Sequence, residues 1–518
     1  MLSPGKGGSA PVYGHVLGHA TYERHRPEDT LLYQLVEKHY PALVEQLEFQ
    51  GKSLPAHVHR EFEAYLKCGR LENGFLRVRC DKCYFERLVA FSCKKRGFCP
   101  SCGARRMAET AALLSDEVFP DVPLRQWVIS FPFPLRYLFA AHPQAMGKVL
   151  GIIYRAISTH LIHKAGYSLK DGATGAVTLI QRFGSALNLN IHFHILFLDG
   201  VYVCRDDRPR FQRVKAPAKS ELEELVQLIS QRVGRCLERQ GLLEQDAENA
   251  WLDLDPAEDN DAMPQILGSS ISYRIAVGPQ QGRKAFMIRT IRPLDRPDPG
   301  LERVAKASGF SLHAGVSCEA LQKDKRERIF RYIARPPVAV PRLSLSSTGK
   351  VVYTLKTPYR DGTTQVAFEP VDFIARLAAL VPKPRVNLTR YHGVLAPNHR
   401  WRGLVTPARR GKGIKSISNA EVHTPAERHT AMTWAQRLKR VFSIEIEVCG
   451  RCGGSVRVIA CIEDQDVIDR ILAHLESKEQ NTPALPHLAP PTRAPPGAWP
   501  LFAGKDSSPT EFNQQGRQ

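Results

Sequence analysis

The sequence predicts a multidomain α+β protein: an N-terminal helical domain with zinc knuckles, a central antiparallel sheet flanked by helices, a basic C-terminal α+β region and a disordered tail. Three observations lead there. Two CxxC pairs lie near the N-terminus, and apolar, β-branched runs separated by turn residues follow in the middle of the chain. The whole chain of 518 residues carries a formal net charge of +20. That length allows two to four domains, and that charge points to a polyanionic partner, nucleic acid by default. The expected division is 1–30 as a flexible tail, 31–120 as a helical zinc-binding domain and 121–338 as the central sheet domain. A basic DNA-contacting region (339–440), a CxxC knuckle with a helix (441–480) and a Pro-rich, disordered tail (481–518) complete it. No apolar run reaches membrane-spanning length, and the first residues lack the apolar core of a signal peptide. A cytoplasmic setting is therefore expected, in which the 12 cysteines serve as metal ligands or free thiols.

From Leu31 to about Leu66 the apolar positions recur at helical spacing, with breaks expected at Pro41 and near Pro55. Cys80-Asp81-Lys82-Cys83 and Cys99-Pro100-Ser101-Cys102 then stand fifteen residues apart. Two such knuckles suit one four-thiolate, tetrahedral zinc, a closed site with a structural role. On this reading Cys68 and Cys93 are ordinary buried thiols. The knuckles are threaded with cations, Arg105 and Arg106 among them, which makes a phosphate-contacting surface or, equally, a solvated basic face.

Trp127 to Phe131 reads as a strand buried on both faces, and Pro143 to Lys164 as a long amphipathic helix. Gly175 to Phe183 and Asn190 to Leu198 read as two strands joined by a turn. Alternation along the second strand puts His192 and His194 on one face, half of a divalent-metal site. About 0.3 such His-hydrophobe-His matches arise by chance in this composition, so the pair needs support. A second copy, His57-Val58-His59, falls at a helix start, where i and i+2 diverge, and is set aside. With the hairpin centred between Ala186 and Leu187, Gln181 lies opposite His192 as a third ligand. His313, on the alternating strand Phe310 to Ala314, is the other candidate, either as ligand or as phosphate contact.

Ser220 to Gln240 reads as a charged amphipathic helix, and Glu244 to Asp261 as an acidic loop whose Asp253 and Asp255 are more simply solvated charges than ligands. Lys325 to Ala334 reads as a short helix stopped by Pro336 and Pro337, with Ile329, Phe330, Ile333 and Ala334 turned to the core. Tyr332 falls at the edge of that face, with Lys325 and Arg328 on preceding turns and Arg335 nearby. A phenol in a cationic stripe suits attack on a phosphodiester, although a boundary tyrosine that only packs is the commoner object. A hairpin is expected from Val351 to Phe368 and a helix from Val371 to Leu380. Arg400-Trp401-Arg402 and then Arg409, Arg410 and Lys412 form a basic stretch with one aromatic, suited to backbone contact or stacking on single-stranded DNA. Tyr391-His392 offers a rival nucleophile without the cationic stripe. Cys449-Gly450-Arg451-Cys452 reads as a lone knuckle, with Cys461 and His474 at irregular spacing beyond it.

Taken together, the zinc module, the strand-borne His192 and His194, and the run Phe330 to Pro337 around Tyr332 resemble the rolling-circle transposases of the insertion-sequence common-region group. These are HUH single-strand DNA nucleases with an N-terminal zinc-binding domain, and the resemblance runs from about Leu31 to Leu475. It implies an HUH-type central sheet and Tyr332 as the single nucleophile, because Pro336 stands where two-tyrosine relatives carry the second. It further implies structural Zn²⁺, and Mg²⁺ or Mn²⁺ at the histidines. DNA would be cleaved and joined through a 5′-phosphotyrosine. The partners implied are single-stranded DNA at element ends and target, host replication proteins and a second copy of the chain, in a bacterial, nucleoid-associated setting. The absence of a Walker sequence agrees with a reaction that stores bond energy in the covalent link. The rival from another class is a zinc-dependent nucleic-acid-binding protein without catalysis. A tyrosine recombinase, which needs no metal, is the weaker alternative.

Overall fold

The computed structural model describes residues 20–21, 26–205, 208–245, 250–252, 260–293, 304–409, 444–445 and 447–480. Asp253, Asp255, Arg410, Lys412 and the expected Pro-rich tail lie outside the described residues.

The first helices are α1 (Leu31–Phe49) and α2 (Ala56–Lys67). Thr30 caps α1 by accepting the Tyr33 N–H. The break expected at Pro41 does not occur; α1 runs through it and stops only after Phe49. Pro41 is exposed, while Leu32, Leu35, Val36, Leu43 and Leu47 are buried along the opposite face, and that burial outweighs one lost backbone hydrogen bond. In α2, His59 bonds the Tyr40 hydroxyl at 2.5 Å, so the second His-hydrophobe-His copy is partly spent on helix packing. Strands β1 (Phe75–Cys80) and β2 (Glu86–Ala90) form a hairpin ahead of α3 (Pro100–Leu113).

The middle of the chain supplies β3 (Leu124–Ser130), α4 (Phe133–Ala141), α5 (Pro143–Lys164), β4 (Gly175–Phe183) and β5 (Leu189–Leu198). Then come α6 (Lys219–Glu238), α7 (Met263–Ile271), β6 (Phe286–Arg289), β7 (Val304–Ala307), β8 (Phe310–Cys318) and α8 (Lys323–Ile333). Strands β9 (Leu343–Leu345), β10 (Val351–Thr354) and β11 (Thr363–Phe368) lead to α9 (Pro370–Leu380) and β12 (Thr389–Gly393). The last described elements are β13 (Val456–Ile462) and α10 (Gln465–Gln480).

The central sheet is antiparallel, with six strands in the order β7-β8-β3-β5-β4-β12. Its two faces have different tasks. Trp127, Ile129, Phe131, Ile180, Phe193, Ile195 and Phe197 point to one side and are buried in a core shared with α4, α5, α6 and α7. Phe131 meets Phe139 and Phe193 edge-on at 4.9 Å, and Tyr154 of α5 stacks on Phe197 at 5.7 Å. The other face carries Leu124, Val177, Leu179, Leu196 and Leu198, covered by Ile329, Phe330 and Ile333 of α8. Smaller sheets flank this one: β6-β11-β10-β9, and β13-β1-β2, in which β13 pairs with β1 from the far end of the chain. Among the described residues no helix is long and apolar enough to cross a membrane.

At one end of the central strands Arg125 grips both carboxylate oxygens of Asp199, at 2.9 and 2.8 Å, and donates to the Ala314 carbonyl at 2.9 Å. Both side chains are about 5% exposed or less, so neither charge has water to fall back on. Arg125→Met alone therefore leaves a buried carboxylate and should cost about 3–5 kcal/mol in urea unfolding. The double variant Arg125→Met/Asp199→Leu should regain most of that loss.

Candidate active site

Strand pairing builds the site. The register places Gln181 directly opposite His192, and His192 in turn opposite Ser130. One row along, Leu179, His194, Val128 and His313 face one another across four strands. Residues opposed in an antiparallel ladder share a face, so His192, His194, Gln181 and His313 all project towards the side that α8 covers. The imidazole Nε2 atoms of His192 and His194 come within 3.1 Å of each other. Two ligands about 2.1 Å from one octahedral cation, at right angles, stand about 3.0 Å apart, so the pair has the spacing a divalent cation needs.

The third donor is separated by reach. Gln181 is one strand from His192, whereas His313 lies two strands from His194, about 10 Å along the sheet. Gln181 is only 4% exposed; its amide nitrogen donates to the Ile333 carbonyl at the end of α8 (2.6 Å), and its Oε1 has no hydrogen-bond partner. A buried carbonyl oxygen left without a donor beside two imidazoles is a ready ligand for a hard cation. His313 acts on His194 through its charge.

Burial favours neutral imidazoles here. His192 is pushed down to about 4, chiefly by desolvation and further by Arg335 and Arg136, against the opposite pull of its bond to the Asn190 carbonyl. His194 is driven well below the ordinary histidine value by the same burial, then by His192, Arg335 and His313. Both rings therefore stay in the ligand form at neutral pH. The Asn190 carbonyl, 2.9 Å from His192 Nδ1, can only accept, which puts the proton on Nδ1 and a lone pair on Nε2. His194 is held by Gln126, whose amide nitrogen is assigned 2.8 Å from Nδ1. In that orientation Nδ1 accepts, and His194 Nε2–H spans the 3.1 Å to His192. For His194 to offer Nε2 to a cation, the Gln126 amide must turn so that its oxygen takes the Nδ1 proton. Sequence reasoning missed Gln126; its signal was a polar residue two before Val128, and so on the same face, just ahead of the apolar run Trp127–Ile129.

Tyr332 reaches the same place from α8. Its half-buried ring stands perpendicular to that of His194, with centroids 6.4 Å apart. The cations nearest it differ in part from the expected stripe. Arg335 lies over the ring at 4.2 Å and donates to the Tyr332 carbonyl at 3.1 Å. Lys356, just beyond β10, stands 5.0 Å from the ring centroid. Arg328 is exposed and lines an open groove of about 870 Å³ with Lys323, Arg331, Asp116, Asp121 and Asp324, while Lys325 is half-buried one turn before it. Arg105 bonds Glu109 and Ser92, and Arg106 bonds the Lys95 carbonyl at 2.7 Å, so both hold the zinc region together. Arg409 is exposed. Trp401, expected to stack on DNA, is 7% exposed and packs with Leu395 and Val405, because the turn into the helix Arg402–Val405 folds its ring inward. Of the rival pair Tyr391-His392, His392 stacks on Tyr154 at 4.7 Å and bonds Thr178 Oγ1 at 3.0 Å.

The cysteines group differently from the expected quartet. Cys80, Cys83, Cys99 and Cys102 do not form one site. Cys99 and Cys102 meet Cys68 and Cys93, and Cys80 and Cys83 meet Cys449 and Cys452. Cys68 ends α2, Cys93 follows β2, and Cys99 and Cys102 open α3, so one cluster ties three elements. Sγ separations of 3.8 Å (Cys68–Cys102), 3.4 Å (Cys93–Cys102) and 3.8 Å (Cys68–Cys99) match the roughly 3.8 Å between thiolates 2.3 Å from a tetrahedral zinc. The Cys449 knuckle is not alone either, since strand pairing of β13 with β1 carries it to Cys80 and Cys83. Linear spacing could not show this, because the pairing of knuckles is set by the sheet.

Two family models match the chain. Residues 35–131 match the transposase zinc-binding domain of the IS91 group, and residues 175–402 match the transposase family Y2_Tnp, described as "Putative transposase". The chain belongs to the IS91-type rolling-circle transposases. No curated protein and no solved structure matches it. The transposase is accordingly a DNA-binding, DNA-cleaving and strand-transferring enzyme with structural zinc. The second match begins at Gly175, the first residue of β4, and spans His192, His194 and Tyr332.

If Gln126 orients His194, Gln126→Ala should weaken Mn²⁺ binding by about 10–100-fold in calorimetric titration. Gln126→Glu, which can only accept at Nδ1, should retain it. Gln181→Ala should weaken binding to a similar extent, while His313→Ala should change it little.

Proposed function

We propose that this transposase cleaves and rejoins single-stranded DNA through Tyr332, with a divalent cation held by His192, His194 and Gln181. The observation that carries the reading is the convergence on one sheet face of two neutral imidazoles, a partnerless amide oxygen and a phenol flanked by Arg335 and Lys356. Bound Mg²⁺ or Mn²⁺ would supply Lewis-acid polarisation of the scissile phosphate. The chain's own groups do the rest. Arg335 and Lys356 attract the phosphate and stabilise the negative charge that builds on it as the bond forms. The Tyr332 oxygen forms a bond to phosphorus as the bond to the 3′ oxygen breaks; the phenol proton passes to solvent, and the 3′ oxygen leaves as a hydroxyl. The product is a 5′-phosphotyrosine, and attack by a target 3′-hydroxyl reverses the step and frees the tyrosine. No nucleotide hydrolysis is needed, because one phosphodiester replaces another.

A single-tyrosine scheme follows from the residue four places on. That residue is Pro336, and its ring lies against Gly103 of α3, so closely that a Cβ on Gly103 would come within 2.5 Å of the Pro336 Cβ. The zinc-bearing helix thus braces the end of the tyrosine helix. The groove beside Arg328 and Arg331, and the exposed Arg409, offer further phosphate contacts on the path of the strand. Arg335 and Lys356 are the contacts nearest the nucleophile, and Lys325 and Arg328, on preceding turns of α8, are proposed as further contacts to the strand.

The test is to mix the purified chain with labelled single-stranded oligonucleotides from the flanks of its own gene, with Mn²⁺ or with EDTA, and to run denaturing gels. An SDS-stable adduct is expected with Mn²⁺, absent with EDTA and lost in Tyr332→Phe. Arg335→Ala should slow its formation by about 10²–10³-fold, in line with the loss of one charge-stabilising donor. An adduct that persists in Tyr332→Phe, or DNA binding that yields no adduct with any metal, would overturn the reading.

A further inference from the structure

We propose that Cys80, Cys83, Cys449 and Cys452 bind a second structural zinc, separate from the ion of the Cys68 cluster, and that this zinc fastens the segment 447–480 to the N-terminal sheet. The inference does not depend on the reaction proposed above. The matched zinc-binding domain ends at residue 131, so two of these four ligands lie more than 300 residues outside it.

The four Sγ atoms lie within 4.8 Å of one another, with 3.4 Å between Cys80 and Cys452 and 3.6 Å between Cys83 and Cys449. Each close pair joins one knuckle to the other, which is how two CxxC loops close a tetrahedron. The backbone is shaped for the task. The Lys82 N–H points at Cys80 Sγ at 3.4 Å, and the second knuckle closes through Cys449 N–H to the Gly454 carbonyl at 2.8 Å. Gly454 is required where the loops meet, since a Cβ there would come within 2.9 Å of Cys80 Sγ and 2.7 Å of Lys82 Cβ. Asp81 N–H donates to the Ser455 carbonyl at 2.9 Å, and Arg457 pairs with Asp81 at 2.7 Å, locking one knuckle to the other.

Two further observations favour a metal over four free thiols. First, four thiolates around Zn²⁺ leave a net charge of −2, and the knuckles with the strand beside them supply Lys82, Arg451 and Arg457 against a single carboxylate, Asp81, which Arg457 pairs. Second, β13 buries little: every one of its seven residues is exposed or half-buried. A strand with so little apolar burial needs another anchor to stay paired with β1, and a metal at its head provides one.

Metal content of the full chain, purified without chelator, reads the proposal directly. Two zinc per chain are expected, falling to one in Cys449→Ser/Cys452→Ser and staying at two in the control Cys461→Ser. One zinc in the unaltered chain would overturn it. A second measurement avoids any folding defect of the variant. Native alkylation of the unaltered chain, read by mass spectrometry, should spare Cys449 and Cys452 until the zinc is chelated, while exposed Cys204 and Cys461 react at once. Prompt modification of Cys449 and Cys452 with the zinc content unchanged would equally overturn it.

Discussion

The pairing of β4 with β5 is the constraint on which the rest depends. Because side chains alternate along a strand, a slip of one residue would send His192 and His194 into the aromatic core and bring Phe193 to the site. The buried aromatics on the opposite face, Phe131, Phe193 and Phe197, penalise that slip heavily. The apolar core thus does more than hold the sheet together; it fixes the face on which polar chemistry is placed. Burial of that polar face has its own effect, since it keeps both imidazoles neutral and leaves the Gln181 oxygen without water as a competitor.

The tyrosine helix is held from three sides. Phe119 stacks on Phe330 at 5.2 Å, Gln181 ties the Ile333 carbonyl, and Arg326 is buried against Asp121 and the Pro120 carbonyl. The contact of Gly103 with Pro336 adds the zinc-bearing region to these supports. The zinc-bearing region and the proposed nucleophile are therefore mechanically linked, although the cysteine clusters among the described residues lie away from the histidines. A short helix alone would leave a tyrosine free to swing; this one is fixed by packing, a capped end and a buried guanidinium.

Much of the central region was legible from the residues because its signals are local. Apolar, β-branched runs bounded by turn residues identified β3, β4 and β5, and the turn at Ala186-Leu187 was enough to set Gln181 opposite His192. What escaped was long-range. Spacing suggested that Cys80 and Cys83 share a site with Cys99 and Cys102, whereas their neighbours Cys449 and Cys452 are brought in by a strand 372 residues along the chain, counted from Cys80 to Cys452. Lys356 reaches Tyr332 from a hairpin, a contact no helical wheel of α8 could contain. Trp401 and Pro41 were misjudged for the same reason, as tertiary burial overrode the local preference of each residue.

The pairing of β1 with β13 also has a consequence for how the protein is made. The hairpin of β1 and β2 leaves the ribosome early, but the strand that completes its sheet follows only after most of the chain. At roughly 5–20 residues per second, the interval between the two knuckles is about 20–75 s. Throughout that time the outer edge of β1 is an open strand edge next to two cysteines without their partners, on a nascent chain crowded by its neighbours on the same messenger. Slow stretches of translation between the two knuckles would lengthen this exposure, and the yield of intact protein should be most sensitive to them.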